Sequence, residues 1–290
     1  MRPDQEEYIL KNIGWKSAEA IAKDLGMKER KIKRFLERQK VKEKTAFPLQ
    51  EPRSSVRKKN VFWSVILIVV LGFAVYAGSI PGEFIWDDEH LVSDNLYIRD
   101  WSNLPKFFTE GMAAGADAPT LYSFYRPVQM ITYALDYSVW KLDPRGYHFT
   151  NIILHVLAAL AVFWLITILY KNLGLALLTS LFFVVHPVHT EAVSYIAGRA
   201  DSLSVLFMLG CFIFYIKALA SDKKVHYALM ILSYTLAILS KELSLILPIL
   251  LLLYHYAFKQ QIKSKVFLPV LTINIVYIIL RMTALGFLSA

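Results

Sequence analysis

The chain has 290 residues, of which 56% are hydrophobic and 19% are charged, and its mean hydropathy is +0.43. Soluble globular proteins carry about 25% charged residues, so this composition excludes an ordinary soluble domain and predicts a polytopic membrane protein. The single cysteine, Cys211, lies in an apolar run, which excludes a disulfide framework and a thiolate metal site.

The formal net charge of +9 belongs mainly to the first 60 residues, which hold 17 Lys/Arg and 9 Asp/Glu. Residues 1–45 resemble a cytosolic helix-turn-helix, with Ser17 capping the second helix and Gly26 ending it. The predicted helices cover 4–13, 17–25 and 28–40, and their apolar faces contain Ile21, Ala22, Leu25, Ile32, Phe35 and Leu36. This basic module has two interpretations: DNA binding, or a cytosolic bundle that contacts anionic lipid.

A linker over residues 46–60 contains two prolines and ends in a basic cluster at the predicted membrane surface. A membrane domain over 61–290 follows. Its first apolar run, 61–80, is too long for a cleavable signal peptide and is predicted to be an uncleaved anchor. Because about 20 apolar residues cross the hydrocarbon core, seven spans are predicted. They are 61–80, 151–170, 173–193, 202–220, 225–240, 243–258 and 266–288, and the fifth and sixth are the shortest.

The distribution of lysines orients these spans with the N-terminus in the cytoplasm. The inner connections then contain Lys171, Lys217, Lys223, Lys224, Lys259, Lys263 and Lys265, opposed only by Asp222. The large first outer loop, 81–147, has the opposite balance, with 5 basic and 10 acidic residues. The host membrane is predicted to be the bacterial plasma membrane or the endoplasmic reticulum membrane.

The outer loop contains one apolar, tyrosine-rich segment over residues 121–140. Val128, Ile131, Leu135 and Val139 share one helical face there. This pattern is typical of a helix lying in the lipid headgroup layer. A buried packing helix is the alternative, and the two interpretations are compatible.

Each prominent polar cluster falls on the predicted outer side. The clusters are Asp87–Asp88, Arg126–Pro127, the face formed by His148, Asn151 and His155, the segment HPVHTEAVSYIAGRAD (186–201), and SKE (240–242). Ionisable groups at the membrane edge are costly and usually functional. Their convergence on one side predicts a single active site.

Taken singly, the clusters have structural interpretations too. Asp87 and Asp88 fit a catalytic pair or the solvated start of a loop. His186, His189 and Glu191 carry ligand types that suit a divalent metal, but their spacing matches no standard zinc motif. Arg199 with Asp201, and Lys241 with Glu242, could each form a local ion pair. No nucleophile elbow, phosphate loop or dinucleotide fingerprint occurs in the chain.

The segments GEFIWDDEHLV, YRPVQMITYALDY, GYHFTNIILH, HPVHTEAVSYIAGRAD and SKE, in this order, resemble a known family. They are similar to the membrane domain of the transmembrane-and-tetratricopeptide-repeat family of O-mannosyltransferase-like proteins, in the GT-C glycosyltransferase superfamily. The resemblance covers about residues 60–285 and implies an all-α polytopic, GT-C-like bundle of about seven helices with interfacial helices in its first outer loop.

The resemblance also implies an activity. The family transfers a sugar, typically mannose, from a polyprenyl-phosphate donor to a protein hydroxyl outside the cytoplasm. Its acidic pair falls on Asp87 and Asp88. Its other outer-face residues fall on His189, Glu191, Arg199, Asp201, Lys241 and Glu242. The expected partners are the lipid-linked sugar, a protein acceptor and the bilayer, and nucleic acid is not expected.

The residue types agree with that chemistry. A carboxylate can take the proton of a weakly nucleophilic hydroxyl, and we assign this role to Asp87 or, second, to Asp88. The other aspartate orients the base or a divalent metal, for which Asp87 and Asp88 are the ligands. The negative charge that develops on the departing phosphate requires a nearby cation or metal ion. The candidate cations are Arg126, Arg199, Lys241 and His189. His148, Asn151 and His155 are candidate supporting residues.

The chain departs from the family in one respect. Family members carry more membrane helices and a tail of tetratricopeptide repeats, whereas this sequence stops at Ala290, so it is expected to be a fragment or a minimal version. Two alternatives therefore stay open. One is a membrane-anchored regulator with a DNA-binding N-terminal module, and the other is a non-catalytic scaffold with the same fold.

Overall fold

The structure is a computed structural model that describes residues 5, 6, 8, 9, 18–35, 58–116, 124–221 and 223–283. These residues form helices and turns, with no strand among them. Several of the helices are long and apolar enough to cross a membrane. The predicted all-α polytopic membrane protein is confirmed. The chain divides into two compact units, Met1–Ser55 and Val56–Ala290.

The first unit contains helix α1 (Ala18–Asp24) and a second helix over 29–35. Gly26 ends α1 as predicted, with a φ of +61° that glycine adopts without steric cost. The N–H of Met27 donates to Ala22 O at 2.9 Å and the N–H of Gly26 to Lys23 O at 3.3 Å, which is the Schellman arrangement. Ser17, and most of the predicted first helix, lie outside the described residues.

The small core of this unit follows the predicted apolar faces. Ile21, Ala22 and Ile32 are buried together with Ile9, and Leu25 and Phe35 pack against them. The described basic residues of the second helix, Arg30, Lys31, Lys33 and Arg34, are exposed. Predicted Leu36 lies outside the described residues.

The second unit contains nine α-helices among its described residues. They are α2 (Lys58–Tyr76), α3 (Pro127–Trp140), α4 (Pro144–Tyr170), α5 (Leu173–Val185), α6 (Thr190–Ser194), α7 (Arg199–Ala220), α8 (Lys224–Ser240), α9 (Leu247–Ala257) and α10 (Ser264–Thr283). Short helical turns cover Ala77–Ser79, Glu89–Ser93, Tyr97–Arg99, Trp101–Phe108, Pro187–His189 and Glu242–Ile246.

The number of spans differs from the predicted seven. Within the described residues, four helices are long and apolar enough to cross a membrane, namely Asn60–Ser79, Pro144–Tyr170, Arg199–Ala220 and Ser264–Arg281. Leu173–Val185 and Pro187–Ser194, which meet at 49°, make a fifth if taken together. The predicted fifth and sixth spans form shorter helices, Lys224–Ser240 and Glu242–Ala257, because extended backbone at Lys241 separates them.

The predicted interfacial helix corresponds to α3, with its predicted first residues, 121–123, outside the described part of the chain. α3 buries Met130, Tyr133 and Ala134, whereas Leu135 and Val139 are exposed. Of the predicted apolar face, Val128 is buried and Ile131 packs against the loop core, so only its second half, Leu135 and Val139, lies outside the packing face. α3 is a packing helix with a second, apolar exposed side, which combines the two predicted interpretations.

The membrane helices pack in two groups. α2, α4 and α5 meet around Ile68, Ala159 and Ala176, and α7 to α10 meet around Tyr215, Tyr234 and Leu251. Lipid removes most of the hydrophobic drive for helix association, so close contact relies on small residues. Gly72 of α2 illustrates this, because an added Cβ would lie 2.5 Å from Val156 Cγ2 of α4.

The described part of the connection between α2 and α4 has a separate core, with α3 as its longest element. Leu91, Val92 and Ile98 from the loop pack with Tyr133 of α3 and Ile196. Fully burying one such side chain stabilises a fold by about 1.5–3 kcal/mol. The segments 77–116, 124–126, 186–198 and 241–246 gather at this end of the bundle. The opposite ends are joined by contacts such as Tyr170 with Phe258 and Lys263 Nζ with Leu219 O.

Candidate active site

Asp88 is a buried tether between two loops. Its side chain is 1% exposed. Oδ2 accepts the N–H of Ile85 at 3.2 Å, and Oδ1 accepts the N–H of Ala197 at 2.8 Å. Burial raises the pKa of Asp88 to about 6, and the two backbone hydrogen bonds and Arg199 oppose the rise. A pKa near 6 suits a general base, but an acceptor hydroxyl cannot reach a carboxylate enclosed in this way.

The raised pKa of Asp88 predicts a pH effect on stability. Between the ordinary pKa of 3.8 and about 6, the folded protein binds more protons at Asp88 than the unfolded chain does. The stabilising contribution of protonated Asp88 to the free energy of unfolding is therefore complete below pH 3.8 and is lost as the pH rises to about 6. We expect the thermal midpoint of the wild type in detergent to fall from pH 4 to 6.5 more steeply than that of Asp88→Asn, measured in parallel. Parallel curves would contradict this assignment.

Asp87, in contrast, is half-exposed. Its backbone N–H donates to Tyr195 Oη at 3.1 Å, and the same hydroxyl also interacts with the Asp87 carboxylate. Burial raises the pKa of Tyr195 above its ordinary value, so the phenol stays protonated at neutral pH and can donate to Asp87. The two predicted aspartates thus have different environments: Asp88 is fixed inside, and Asp87 is oriented by a tyrosine.

Backbone strain is present beside Asp87. Trp86 has a φ of +50°, a left-handed conformation that costs about 1–3 kcal/mol for a residue with a side chain. The Trp86 ring is 77% exposed and makes an edge contact with Tyr195 at 5.9 Å between centroids. Strain of this kind clusters at functional sites, which adds to the case for Asp87.

Arg199 lies at the centre of a buried network and is 0% exposed. Its Nη2 is 2.7 Å from Asp136 Oδ2, and its Nε donates to Asn151 Oδ1 at 2.9 Å. The remaining donors bond Thr132 Oγ1 and Tyr147 O, both at 3.2 Å. Arg199 was predicted to contact the phosphate of the sugar donor. In the structure its N–H groups instead face buried protein groups.

The predicted local pair of Arg199 with Asp201 is wrong. Asp201 is bound by Lys241, at 2.5 Å between Nζ and Oδ1, whereas Arg199 is bound by Asp136. Residues two apart on a helix do not face each other, so Arg199 points into the core while Asp201 points to the rim.

Lys241 and Glu242 do not pair with each other either. Glu242 accepts two hydrogen bonds from Arg126, at 2.8 Å from Nη2 and 3.2 Å from Nε. This forked geometry is the strong form of an Arg–carboxylate pair. The pairs Arg126–Glu242 and Lys241–Asp201 thus fasten the outer loop and α7 to the turn that opens α9. Residues far apart in the sequence thus meet at one end of the bundle.

A largely apolar cleft of about 560 Å³ opens beside these ion pairs. Its wall contains Lys241, Glu242, Leu243, Tyr277 and Arg281. Arg281 donates to Tyr277 Oη at 3.2 Å and has no carboxylate within ion-pair distance in the described part of the chain. The sequence analysis missed Arg281, although it is the single charged residue inside the last predicted apolar run.

The predicted polar face of α4 supports the loop that precedes α7. His148, Asn151 and His155 are all buried. Asn151 Nδ2 donates to Tyr195 O at 2.9 Å, and His155 Nε2 lies 3.2 Å from Val184 O. Asn151 therefore holds the loop that carries Tyr195.

Three neighbours that the sequence analysis missed complete this support. Gln129 donates to Ala197 O at 2.9 Å, opposite the N–H that binds Asp88. Thr150 donates to Asp136 at 2.7 Å. Gly198 is required for space, because an added Cβ would lie 2.4 Å from Glu191 O. The sequence signal that could have identified these residues is a polar residue inside an otherwise apolar helix, such as Gln129 or Asp136.

The histidine segment packs as an aromatic cluster. The His189 ring lies 4.5 Å from Phe183 and 5.1 Å from His155 between centroids. His186 Nδ1 accepts the N–H of Val188 at 3.2 Å, and Glu191 is exposed.

The candidate metal ligands do not come together as a metal site. The described residues contain no group of three or more His, Cys, Asp or Glu side chains that could hold a metal ion. Both carboxylate oxygens of Asp88 already accept backbone hydrogen bonds. The residues therefore do not fit the predicted metal at Asp87 and Asp88, or one at His186, His189 and Glu191.

Comparison with known proteins supports the family resemblance. Human protein O-mannosyl-transferase TMTC1 is 37% identical over 151 residues, covering 50% of this chain and 17% of that protein. Human protein O-mannosyl-transferase TMTC3 is 30% identical over 182 residues, covering 61% of this chain and 20% of that protein. Protein O-mannosyl-transferase F38B6.6 of Caenorhabditis elegans is 28% identical over 172 residues, covering 58% of this chain and 25% of that protein.

The predicted resemblance to the transmembrane-and-tetratricopeptide-repeat family is thus confirmed over half or more of the chain. The matched region spans a quarter or less of each of these three relatives. No family model matches the chain, and no solved structure gives a significant match.

Proposed function

We propose that residues 61–290 form the catalytic membrane part of a protein O-glycosyltransferase. It transfers a sugar from a polyprenyl-phosphate donor to a Ser or Thr hydroxyl outside the cytoplasm, and the mannose of its relatives' names is the sugar to test first. The observation that carries the proposal is the contrast between the two aspartates. Asp88 is buried and tethered, while Asp87 is half-exposed beside a protonated tyrosine, at the end of the bundle where the polar clusters meet.

The proposed reaction is a single displacement at the anomeric carbon. The acceptor hydroxyl oxygen forms the new bond to that carbon while its proton moves to the Asp87 carboxylate. The bond from the anomeric carbon to the phosphate oxygen breaks, and its electron pair leaves with the polyprenyl phosphate. The proton then passes from Asp87 to water or to the released phosphate. Tyr195 orients Asp87 through its hydroxyl.

The apolar cleft is the proposed donor site. Leu243, Ile278 and Tyr277 offer an apolar wall for the isoprene units nearest the phosphate, and Lys241 and Arg281 offer positive charge. Charge that develops on the leaving phosphate is stabilised by cations held close to it. Lys241 is already paired with Asp201, so Arg281 is the cation that we assign to the phosphate.

Replacing Arg281 by glutamine is expected to raise the KM for the donor by about tenfold or more, because a hydrogen bond to a charged group is worth about 1.5–3 kcal/mol. Initial rates over a range of polyprenyl-phosphate mannose concentrations provide the measurement. Arg145→Gln is a matched control, because Arg145 is exposed and lies outside the cleft. An unchanged donor KM in Arg281→Gln would remove this residue from the site.

The charge distribution supports the proposed sidedness. The lysines of the connections, such as Lys171 and Lys263, lie at the opposite end of the bundle from Asp87, and positive charge is typical of cytoplasmic connections. The polar end would then face the lumen or the outside.

The function is tested with the full chain in lipid nanodiscs. Polyprenyl-phosphate [³H]mannose is supplied with a Thr-containing peptide, and radioactivity in the peptide is measured. Transfer above a protein-free control is expected. If no sugar reaches the peptide while donor binding is intact, the chain alone is not a transferase, and a non-catalytic scaffold becomes the favoured interpretation.

A further inference from the structure

A second cavity lies beside the segment that leads from α2 to Asp87. It measures about 550 Å³, and its wall is made by the outer ends of α2, α4 and the bent segment α5–α6. The polar residues of the wall are Tyr76, Ser79, Glu83, His148, Thr190 and Ser194. It shares no lining residue with the cleft proposed for the donor.

Two buried side chains in this wall have hydrogen-bonding atoms without a partner of standard geometry. Tyr76 is 5% exposed, and its hydroxyl makes no hydrogen bond within the described residues. His148 is 3% exposed, and its ring nitrogens make no hydrogen bond of standard geometry, although the backbone of Gly82 and Glu83 bonds the ring more loosely. Buried polar groups without partners are destabilising and rare, so the Tyr76 hydroxyl, next to a weakly bonded imidazole in the same wall, points to a ligand that satisfies it.

A glycine keeps the cavity open at this point. A Cβ added at Gly82 would lie 2.8 Å from His148 Nε2 and 3.0 Å from Ser79 O. A side chain at position 82 would therefore occupy the space that faces the imidazole.

The charge of the wall selects the kind of ligand. Among the residues that the structure describes, no lysine or arginine lines the cavity, whereas Glu83 does, and Asp87 follows the lining residue Ile85 by two positions. A phosphate would be repelled by these carboxylates, while a neutral ligand rich in hydroxyl and amide groups would bond Tyr76, His148, Thr190 and Ser194. Val75, Ile85 and Val185 supply apolar wall for flanking side chains.

We propose that this cavity binds the Ser- or Thr-containing peptide segment of the protein acceptor, with Tyr76 and His148 as its hydrogen-bonding partners. The inference rests on the proposed function. An acceptor peptide is favoured over the sugar of the donor because the base, Asp87, takes its proton from the acceptor and adjoins this cavity in the chain. The sugar shares the neutral hydroxyl chemistry and is the alternative occupant to test.

Cross-linking tests occupancy without requiring catalysis. A photoreactive amino acid is placed at Glu83, which is exposed and lines the cavity, and in a control variant at Glu89, which is exposed but outside the wall. The full chain in nanodiscs is irradiated with a biotinylated peptide of alternating threonine and valine, or with polyprenyl-phosphate [³H]mannose. Cross-linking of the peptide at position 83, absent at 89 and removed by excess unlabelled peptide, is expected.

Two results would overturn the proposal. The first is cross-linking of position 83 to the donor but not to the peptide, which would make this cavity the sugar site. The second is equal cross-linking of the peptide at positions 83 and 89. Peptide cross-linking at 83 in a protein that transfers no sugar would instead leave the binding site intact and reject the proposed function.

Kinetics provide a second readout in an active protein. Tyr76→Phe is expected to raise the KM for the peptide by about fivefold, the loss of one hydrogen bond, with the donor KM unchanged. Tyr170→Phe is the matched control, because Tyr170 is exposed at the opposite end of the bundle. A raised donor KM with an unchanged peptide KM in Tyr76→Phe would contradict the assignment.

Discussion

Replacing Asp87 by asparagine is expected to lower the rate of sugar transfer by about 10²–10⁴-fold, the usual contribution of a general base. Asparagine keeps the size of the side chain, and its carbonyl oxygen can still accept a hydrogen bond from the Tyr195 hydroxyl, but it cannot take the proton of the acceptor hydroxyl. The measurement is single-turnover transfer from polyprenyl-phosphate mannose to a Thr-containing peptide. Donor binding and the thermal midpoint should stay close to those of the wild type.

Asp88→Asn serves as the matched comparison. Asp88 accepts the N–H groups of Ile85 and Ala197, and asparagine presents one acceptor and one donor to these two donors. The expected result is a lower thermal midpoint together with lower activity. The two neighbouring variants should therefore differ in kind, with Asp87→Asn losing rate and Asp88→Asn losing stability.

The assignment of the base fails if Asp87→Asn transfers sugar at the wild-type rate. Full activity of Asp88→Asn with wild-type stability would instead show that the tether between the two loops is dispensable. Asp87→Glu need not retain activity, because its longer side chain moves the carboxylate away from Tyr195.

Replacing Arg199 by methionine is expected to destabilise the membrane domain by about 3–5 kcal/mol, because the carboxylate of Asp136 is left buried without a partner. Burial already raises the pKa of Asp136, and Arg199 opposes that rise, so Asp136 should become protonated in the variant. Asn151, Thr132 and the carbonyl of Tyr147 lose their donor as well. Denaturant unfolding in detergent micelles, monitored by tryptophan fluorescence, measures the loss.

The double variant Arg199→Met with Asp136→Leu separates charge from packing. It should recover part of the lost stability, because removing both charges removes the uncompensated carboxylate. Lys241→Met provides the control, since the partly exposed pair with Asp201 contributes about 0–1 kcal/mol. Equal losses in Arg199→Met and Lys241→Met would contradict a special role for the buried pair.

The variants of Asp87 and Arg199 also divide the site by function. Asp87 touches the reacting atoms in the proposed mechanism, whereas Arg199 acts through the segment 195–198, which Asn151, Gln129 and Asp88 hold in place. Loss of Arg199 should thus reduce activity in proportion to the folded fraction, without shifting the pH profile of the remaining enzyme.

Local features of the sequence determined the element types. Apolar runs of the right length predicted the helices of the membrane domain, and Gly26 predicted the end of α1, because both depend on neighbouring residues alone. The spacing of His148, Asn151 and His155 predicted that they share one face of α4 for the same reason, and the structure buries that face. The order of the motifs along the chain was enough to indicate the family.

The partners of the charged residues were decided by tertiary structure. A local ion pair of Arg199 with Asp201, two positions away, was one interpretation of the sequence, but the carboxylate beside Arg199 is Asp136, and Arg126 binds Glu242 from 116 positions away. Sequence spacing fixes the direction of a side chain on its own helix, whereas ion-pair partners depend on how helices far apart in the chain come together. The distinct environments of Asp87 and Asp88 arise in the same way, because residues 195–197 bury one aspartate and leave the other half-exposed.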